Sequence, residues 1–210
     1  MLSRNNRRGT LTGVILAGGK SRRMGRHKLF VKAGGVSLFH RVYSVLYQIF
    51  PEIIVVANDP ECFQSYPVRV IPDIFPNKGA LGGLYTGIKN ASADSSFCFA
   101  GDMPFLNIRL IRAMMKKYEE GDVIIPKTSD GLQPLHAIYS KKCLTPIEGL
   151  LSRGNLKIID FFRGLTVIYI AEREIRSYDP MLISFLNINT KEDLRRAEEI
   201  LARAPHMESR

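Results

Sequence analysis

Residues 12–28 read TGVILAGGKSRRMGRHK, a short apolar run that passes directly into a glycine-rich, strongly basic loop. The run Thr12–Leu16 has the composition of a strand that is buried on both faces of a parallel sheet. The loop carries five positive charges between Leu16 and Lys28 and no acidic residue. Open α/β sheets bind ligands in loops at the carboxyl ends of their strands. We therefore predict that this loop binds an anion such as a phosphate chain.

Short β-branched runs alternate with amphipathic segments along the rest of the chain, which predicts an α/β fold with a mainly parallel sheet. The predicted strands are Thr12–Leu16, Ile53–Ala57, Val68–Ile71, Ser96–Ala100, Asp122–Ile125, Pro134–Tyr139 and Thr166–Ile170. The predicted helices are Ser37–Phe50, Leu81–Ala91, Ile108–Glu119 and Cys143–Leu151. A last helix follows Thr190, which together with Asp193 forms a variant of the capping box.

The composition is that of a globular protein with one core. The chain has 210 residues, 45% of them hydrophobic, and a mean hydropathy of −0.04. We predict one domain over residues 11–202, between a basic tail at 1–10 and a second tail at 203–210. The N-terminal segment lacks the apolar stretch of a secretory signal, and no run reaches the ~18 apolar residues of a membrane span. We therefore expect a cytoplasmic protein that does not associate with a membrane.

Cysteine content and charge pattern each argue against a class of protein. Cys62, Cys98 and Cys143 are odd in number and widely spaced, which favours reduced thiols over disulfides or a zinc site. The net charge is +10, but long basic tracts with interleaved aromatic residues are not seen, so a nucleic-acid partner is not expected.

The glycine-rich loop has features that suit phosphate binding. Gly18 and Gly19 allow a ligand to approach backbone amides closely, and Arg22, Arg23 and Lys28 add full charges. The loop lacks the GK[ST] ending of a Walker loop and the G-x-G-x-x-G of a dinucleotide fold. An exposed turn that is basic for solubility remains the alternative.

Asp102 is the candidate metal ligand, because it directly follows the predicted strand Ser96–Ala100. A Mg²⁺ ion on a triphosphate needs only one or two protein carboxylates, since water and phosphate oxygens complete its shell. Pro104 ends the strand and stiffens the turn. Aspartate is also an ordinary turn residue, and that reading stays open for the residue taken alone.

Polar residues that could contact a base follow two further strands. Asn58 offers a donor and an acceptor to a base edge, and the alternative is an Asx turn that leads out of the strand. Asp73 is followed by Gly79, Gly82 and Gly83 at the start of a predicted helix. The N1–H and N2–H₂ donors of a guanine edge can be accepted by one carboxylate or by a pair of backbone carbonyls. By contrast, His136 is expected to be a packed histidine, because it alternates with Pro134 and Ile138 on one strand face.

The segment LAGGKSRRMGRHK resembles the L-A-G-G-x-S-x-R-M-G-x-x-K signature of nucleotidyltransferases. Four or five such motifs occur in order over roughly 11–201, and together they look most like the molybdenum cofactor guanylyltransferases. The resemblance implies a three-layer α/β/α fold like that of the nucleotide-diphospho-sugar transferases (Rossmann-like). Relatives specific for cytidine typically have L-A-A-G in the first loop, and the L-A-G-G found here favours guanine.

The resemblance also implies roles for individual residues. Arg22, Lys28 and Asp102 would be catalytic, and Asp102 would bind Mg²⁺. The expected nucleotide-binding residues are Leu16, Ala17, Gly18, Gly19, Lys28, Asn58, Asp73, Gly82 and Asp102. Gln133, Asn187 and Asn189 would line the pterin cleft, although Asn189 also begins a helix and Gln133 could simply begin a strand.

Two positions depart from the family pattern. Gly101 stands where the family often has cysteine, and Ala80 replaces a proline in GALGG. We expect little effect from Gly101, because the carboxylate of Asp102 is retained. Ala80 lacks the fixed φ of proline, which leaves the rigidity of its loop open.

The function implied by the resemblance is transfer of GMP from GTP to the phosphate of molybdenum–molybdopterin, with release of pyrophosphate. Proteins of molybdenum insertion and molybdoenzyme maturation are candidate partners. Three alternatives remain: a sister transferase that uses CTP or activates a sugar phosphate, a nucleotide-binding protein without activity, and a basic nucleic-acid-binding module.

Overall fold

A computed structural model describes residues 11–18 and 28–203 of the chain. Within them the strands are β1 Thr12–Leu16, β2 Lys32–Ala33, β3 Val36–Ser37, β4 Ile53–Val56, β5 Arg69–Ile71, β6 Ser95–Ala100, β7 Val123–Thr128, β8 Gly131–Leu132, β9 His136–Ser140 and β10 Val167–Ala171. The α-helices are α1 Leu38–Leu46, α2 Gly79–Asn90, α3 Ile108–Met115, α4 Leu144–Ser152, α5 Glu172–Arg176 and α6 Lys191–Arg203. Short 3₁₀ helices span Lys28–Phe30, Pro60–Phe63, Lys141–Cys143, Ile158–Phe162 and Ile183–Phe185.

One mixed sheet organises the described part of the chain. Its strand order is β10-β7-β9-β6-β1-β4-β5, and β8 pairs with β7 beside this path. The neighbours β6, β1, β4 and β5 are parallel, and so are β7 and β10. Only β8 and β9 run against them in this sheet, as far as the described residues show. The prediction of a mainly parallel α/β sheet is confirmed.

Helices cover both faces of the sheet, which explains why its central strands β1, β4 and β6 are buried along almost their whole length. Along β1, Ile15 packs into a core with α1 and α3, whereas its neighbour Val14 packs into a second core with α2 and α4. Along β6, Phe99 and Cys98 divide between the two cores in the same way. This period of two is the strand pattern, and it gives the three layers that were predicted.

The close approach of α2 to β1 depends on glycine. A Cβ atom at Gly87 would lie 2.4 Å from a methyl group of Val14, a distance that packed atoms do not tolerate. The helix can therefore lie against the strand only because this position has no side chain.

Two helices are shorter than predicted. The first ends at Leu46 rather than Phe50, and the third ends at Met115 rather than Glu119. In both cases the chain continues as turns with i→i−3 hydrogen bonds, such as those from Gln48 to Val45 and from Tyr118 to Met115. Pro51 also disfavours helical geometry at the residue before it.

The C-terminal helix begins as predicted. The amide of Asp193 donates to Oγ1 of Thr190 at 3.1 Å, and the amide of Thr190 donates to Oδ2 of Asp193 at 2.7 Å. This reciprocal pair confirms the capping box. The helix includes Arg203, the first residue of the predicted tail. None of the helices within 11–18 and 28–203 has the length and apolar character that crossing a membrane requires.

Candidate active site

Both ends of the basic loop lie at the carboxyl edge of the sheet. Backbone hydrogen bonds continue the ladder one residue beyond the strands, from Ala17 to the carbonyl of Val56 and from Gly101 to the carbonyl of Leu16, each at 3.0 Å. The residue after β1 and the residue before Asp102 are thereby fixed side by side. Arg22 and Gly19, two of the predicted loop residues, lie outside the described residues.

Lys28 connects three parts of the chain at this edge. Its Nζ lies 2.7 Å from Oδ2 of Asp102 and 2.6 Å from Oδ1 of Asn189. The side chains of Lys28 and Asp102 are 19% and 23% exposed, so the ion pair is sheltered but open to a ligand. The structure thus brings together the predicted catalytic lysine and the predicted metal-binding aspartate.

Leu29 anchors Lys28 beside Asp102. Leu29 is buried, and a Cβ atom at Gly101 would lie 2.8 Å from its Cδ1 atom. The leucine therefore fills the space that a side chain at position 101 would need. The absence of a side chain at Gly101 leaves the carboxylate in place, as expected, and lets the segment that carries Lys28 pack closely against it.

Asp102 also suits a hard divalent cation by its chemistry. Only Lys28 donates to its carboxylate among the described residues, and the other oxygen, Oδ1, accepts no hydrogen bond from them. No group of three or more His, Cys, Asp or Glu residues could hold a metal ion by itself in the described ranges. A cation that takes most of its ligands from phosphate and water fits such a single carboxylate.

The predicted base-recognition residues meet at the turn between β5 and α2, which contains Asp73 and is contacted by Asn58 from the end of β4. Oδ1 of Asn58 accepts the amide of Asp73 at 3.1 Å, and Oδ1 of Asp73 accepts from the Phe75 amide and from the Thr86 hydroxyl, both at 3.0 Å. Asn58 therefore holds the backbone of Asp73, 15 positions further along the chain, whereas an Asx turn would bond a residue two positions on. Sequence reasoning missed Thr86, which carries no local signal because it lies on α2, 13 positions from Asp73.

Gly82 packs against this turn, which leaves no space for a side chain at position 82. It is buried, and a Cβ atom there would lie 2.8 Å from the carbonyl oxygen of Phe75 and 3.3 Å from Oδ2 of Asp73. Its observed contacts are thus with the turn, and a direct nucleotide contact stays a prediction. Ala80, the replacement for the family's proline, is exposed in the first turn of α2, after the left-handed residues Asn77 and Gly79.

The three predicted pterin-cleft residues do not share one set of contacts. Asn189 joins Lys28, as described. Gln133 instead donates from Nε2 to Oγ1 of Thr128 at 3.2 Å, at the end of β7. Asn187 is half-buried, and its side chain has no hydrogen-bond partner within the part of the chain that the structure describes. All three stay predictions as pterin ligands.

The backbone at the start of the first loop, at Leu16 and Ala17, already forms hydrogen bonds within the sheet. The carbonyl of Leu16 accepts the amide of Gly101, and the amide of Ala17 donates to Val56. Gly18 is the exposed member of the predicted trio. Contacts from these residues to a nucleotide stay predictions.

The buried histidine and the cysteines of the described core lie in surroundings that do not suit catalysis. His136 is fully buried among the rings of Phe97, Phe99 and Phe185, as expected for a packed histidine, and burial lowers its pKa to about 3. All three cysteines are free thiols, and burial raises the pKa of Cys143 to about 12, which makes it a poor nucleophile.

Comparison with known proteins identifies the class. Residues 13–166 match the model of the MobA-like NTP transferase domain. The chain belongs to this family and is a nucleotidyltransferase. NTP transferases of this family generally use a divalent metal.

Individual relatives are similar over nearly their whole length. A probable molybdenum cofactor guanylyltransferase of Pelotomaculum thermopropionicum is 38% identical over 186 residues, which cover 89% of this chain and 91% of that one. The molybdenum cofactor guanylyltransferase of Desulfosudis oleivorans is 37% identical over 90% of this chain and 94% of its own. A crystal structure of molybdopterin-guanine dinucleotide biosynthesis protein A from Archaeoglobus fulgidus matches with a TM-score of 0.80 and 29% identity, covering 92% of this chain and 100% of that one.

Proposed function

We propose that this enzyme transfers GMP from GTP to the terminal phosphate of molybdenum–molybdopterin in the cytoplasm, forming the guanine dinucleotide cofactor and pyrophosphate. Family membership and guanylyltransferase relatives at 37–38% identity support the proposal. The observation that carries it is the contact of Lys28 with both Asp102 and Asn189 at the carboxyl end of β1.

The reaction needs positioning and charge neutralisation more than proton transfer. A phosphate oxygen of the acceptor forms a bond to the α-phosphorus of GTP, and the bond from that phosphorus to the bridging oxygen of the β-phosphate breaks. The electron pair leaves with pyrophosphate, and the attacking phosphate is already anionic, so no general base is required. Two polyanions repel each other, and the cations Lys28 and Arg22 would offset this repulsion.

Asp102 would hold a Mg²⁺ ion that arrives with the triphosphate. Its carboxylate is part-exposed and has one oxygen without a described donor, which leaves room for a cation. The ion would supply Lewis-acid polarisation of the phosphoryl oxygens. Lys28 donates to the same carboxylate in the structure. Once the ion is bound to Asp102, the ammonium group of Lys28 would donate its hydrogen bonds to the phosphate oxygens instead.

Asp73 would select guanine. Oδ1 of its carboxylate is used by Phe75 and Thr86, whereas Oδ2 has no hydrogen-bond partner among the described residues. That oxygen could accept from the N1–H or N2–H₂ group of guanine, which cytosine does not present in the same pattern. Gln133, Asn187 and Asn189 would contact the pterin substrate, and proteins that insert molybdenum or mature molybdoenzymes are proposed as further partners.

The test is a substrate matrix with product analysis. The protein is incubated with molybdenum–molybdopterin, Mg²⁺ and each of the four NTPs, and pyrophosphate release and product mass are measured. We expect release only with GTP, with a product heavier than the acceptor by one GMP group. Turnover with CTP would instead indicate the cytidylyl reaction, and absence of pyrophosphate release with all four NTPs would contradict the proposed acceptor.

A further inference from the structure

We propose that Asp193 is a positioning residue that holds Asn189, and through it Lys28, in the arrangement needed for phosphate binding. The kinetic part of this proposal rests on the function proposed above, whereas the positioning itself does not. Asp193 lies in the first turn of α6, and its role as a helix cap does not account for all of its contacts.

The carboxylate of Asp193 accepts one hydrogen bond more than the capping box requires. Oδ2 accepts the amide of Thr190 at 2.7 Å and also the amide of Asn189 at 2.8 Å. The bond to Thr190 is the capping interaction, since Thr190 in turn accepts the amide of Asp193. The bond to Asn189 fixes the backbone of the residue whose side chain contacts Lys28.

A second tether holds the same segment from the other side. The amide of Ile188 donates to the backbone carbonyl of Asp102 at 2.9 Å, and the Ile188 side chain is 3% exposed in a cluster with Ala33 and Leu38. The backbone of Asn189 is thus fixed by the bond from the preceding residue, Ile188, to Asp102 and by its own bond to Asp193 of α6. This position brings the Oδ1 atom of Asn189 to 2.6 Å from Nζ of Lys28, where it accepts a hydrogen bond.

Electrostatics agree with this arrangement. The amides of Asn189 and Thr190 are the main causes that lower the pKa of Asp193, and the charge of Lys28 contributes in the same direction. The carboxylate of Asp193 thus holds the backbone of Asn189, the side chain of Asn189 contacts Lys28, and Lys28 contacts Asp102.

The chain offers variants that separate positioning from helix capping. Asp193→Ala removes both amide bonds, whereas Thr190→Ala removes the Thr190 hydroxyl beside the Asp193 carboxylate but leaves the amides of Asn189 and Thr190 bonded to Oδ2. Glu192→Gln is a charge-matched control, because Glu192 is 72% exposed and pairs with Arg195 alone among the described residues.

The first experiment measures the reactivity of Lys28 without any nucleotide. Acetylation of the folded protein by an amine-reactive ester is followed by peptide mass spectrometry, with Lys32 as the internal reference. We expect Asp193→Ala to speed acetylation of Lys28 about fivefold, the change expected for loss of one hydrogen bond. Thr190→Ala and Glu192→Gln should match the wild type. An equal acceleration in Thr190→Ala would overturn the proposal in favour of a helix cap.

The second experiment is a double-mutant cycle on the GMP-transfer rate. Asp193→Ala should lower kcat about tenfold in the wild type but hardly at all in an Asn189→Ala background, because the effect passes through Asn189. Additive losses would contradict the proposal, since a capping defect persists without Asn189. Asp193→Asn keeps an acceptor oxygen, should restore much of kcat, and replaces the alanine variant if that one does not fold.

The two experiments keep the two hypotheses apart. If the wild type transfers no GMP but Lys28 acetylation responds as expected, the proposed function fails and the positioning role stands. If transfer is observed and neither assay distinguishes Asp193→Ala from Thr190→Ala, only the positioning role fails.

Discussion

The two edges of the sheet each carry an aspartate paired with a lysine, and the pairs differ in what else surrounds them. At the carboxyl edge, Lys28 lies 2.7 Å from Asp102. At the amino edge, Lys142 lies 3.0 Å from Asp122, whose carboxylate also accepts the Thr166 amide at 3.0 Å and the Ser140 hydroxyl at 3.4 Å. The Thr166 amide and then Lys142 lower the pKa of Asp122.

Glu52 repeats the pattern of the amino edge. It lies directly before β4 and accepts from the hydroxyl of Thr12 and from the amide and hydroxyl of Ser92. Burial raises its pKa, but these hydrogen bonds and the charge of Arg69 lower it overall. Asp122 and Glu52 at the amino edge accept several hydrogen bonds from protein donors, whereas Asp102 accepts from Lys28 alone among the described residues. Carboxylates therefore join strands at the amino edge, whereas the proposed function would use the unpaired oxygen of Asp102 for a ligand.

The largest effect should come from exchanging the two aspartates for asparagine in turn. Asp102→Asn should reduce GMP transfer about 10³-fold, because several kcal/mol of charge stabilisation are lost, while the Tm stays near that of the wild type. Asp122→Asn should lower the Tm and leave kcat unchanged. Steady-state kinetics and thermal unfolding of both variants make the comparison, which fails if Asp122→Asn loses activity to the same degree.

A smaller contrast is expected for the two lysines. Lys28→Met should lower kcat about 10²-fold, the loss typical of one preorganised donor to a developing charge. Lys142→Met should change neither kcat nor stability by much, since its side chain is 78% exposed and exposed pairs contribute about 0–1 kcal/mol. Equal losses of activity in the two variants, measured by pyrophosphate release, would mean that the basic charge acts only at long range.

The smallest effect concerns His136, the first residue of β9, which pairs with Phe99 near the carboxyl end of β6. Neither of its ring nitrogens has a hydrogen-bond partner among the described residues, and burial lowers its pKa to about 3, below the 6.5 of an unperturbed histidine. The unfolded chain therefore binds a proton more readily, so stability is complete above pH 6.5 and decreases as the pH falls toward 3. The unfolding equilibrium should shift by up to about tenfold per pH unit in this window.

Urea unfolding at pH 7, 6 and 5 tests this expectation. His136→Leu keeps an apolar side chain in the cavity and should flatten the dependence on pH over this range. A wild-type slope that persists in the variant would assign the effect to another group.

Much of the fold could be predicted because the buried strands have strong local patterns. Thr12–Leu16 is a strand over the predicted residues, and Ile53–Val56 ends one residue early. The hairpin of β2 and β3 was missed, since it has two-residue strands joined through the left-handed glycines 34 and 35. The antiparallel direction of β9 was also not predicted, because direction depends on the partners that a strand finds and not on its own sequence.

Part of the arrangement at the candidate site could be predicted from the sheet edge at which the strands end. Asp102 and Lys28 follow elements that end at one edge, so their meeting could be anticipated. The contact of Asn189 with Lys28 could not, since α6 reaches this edge through the packing of Leu201 against Gly34 of the hairpin. The capping motif located Asp193 in sequence but said nothing about which loop its helix would touch.

The bond between Lys28 and Asn189 spans 161 positions of the chain, and this has a consequence for biosynthesis. A nascent polypeptide exposes its glycine-rich segment early, but the ammonium group gains its second anchor only after position 189 has left the ribosome. Until then this contact at the carboxyl edge cannot form, so a translation product that ends before position 189 would keep the basic segment without the second anchor of Lys28.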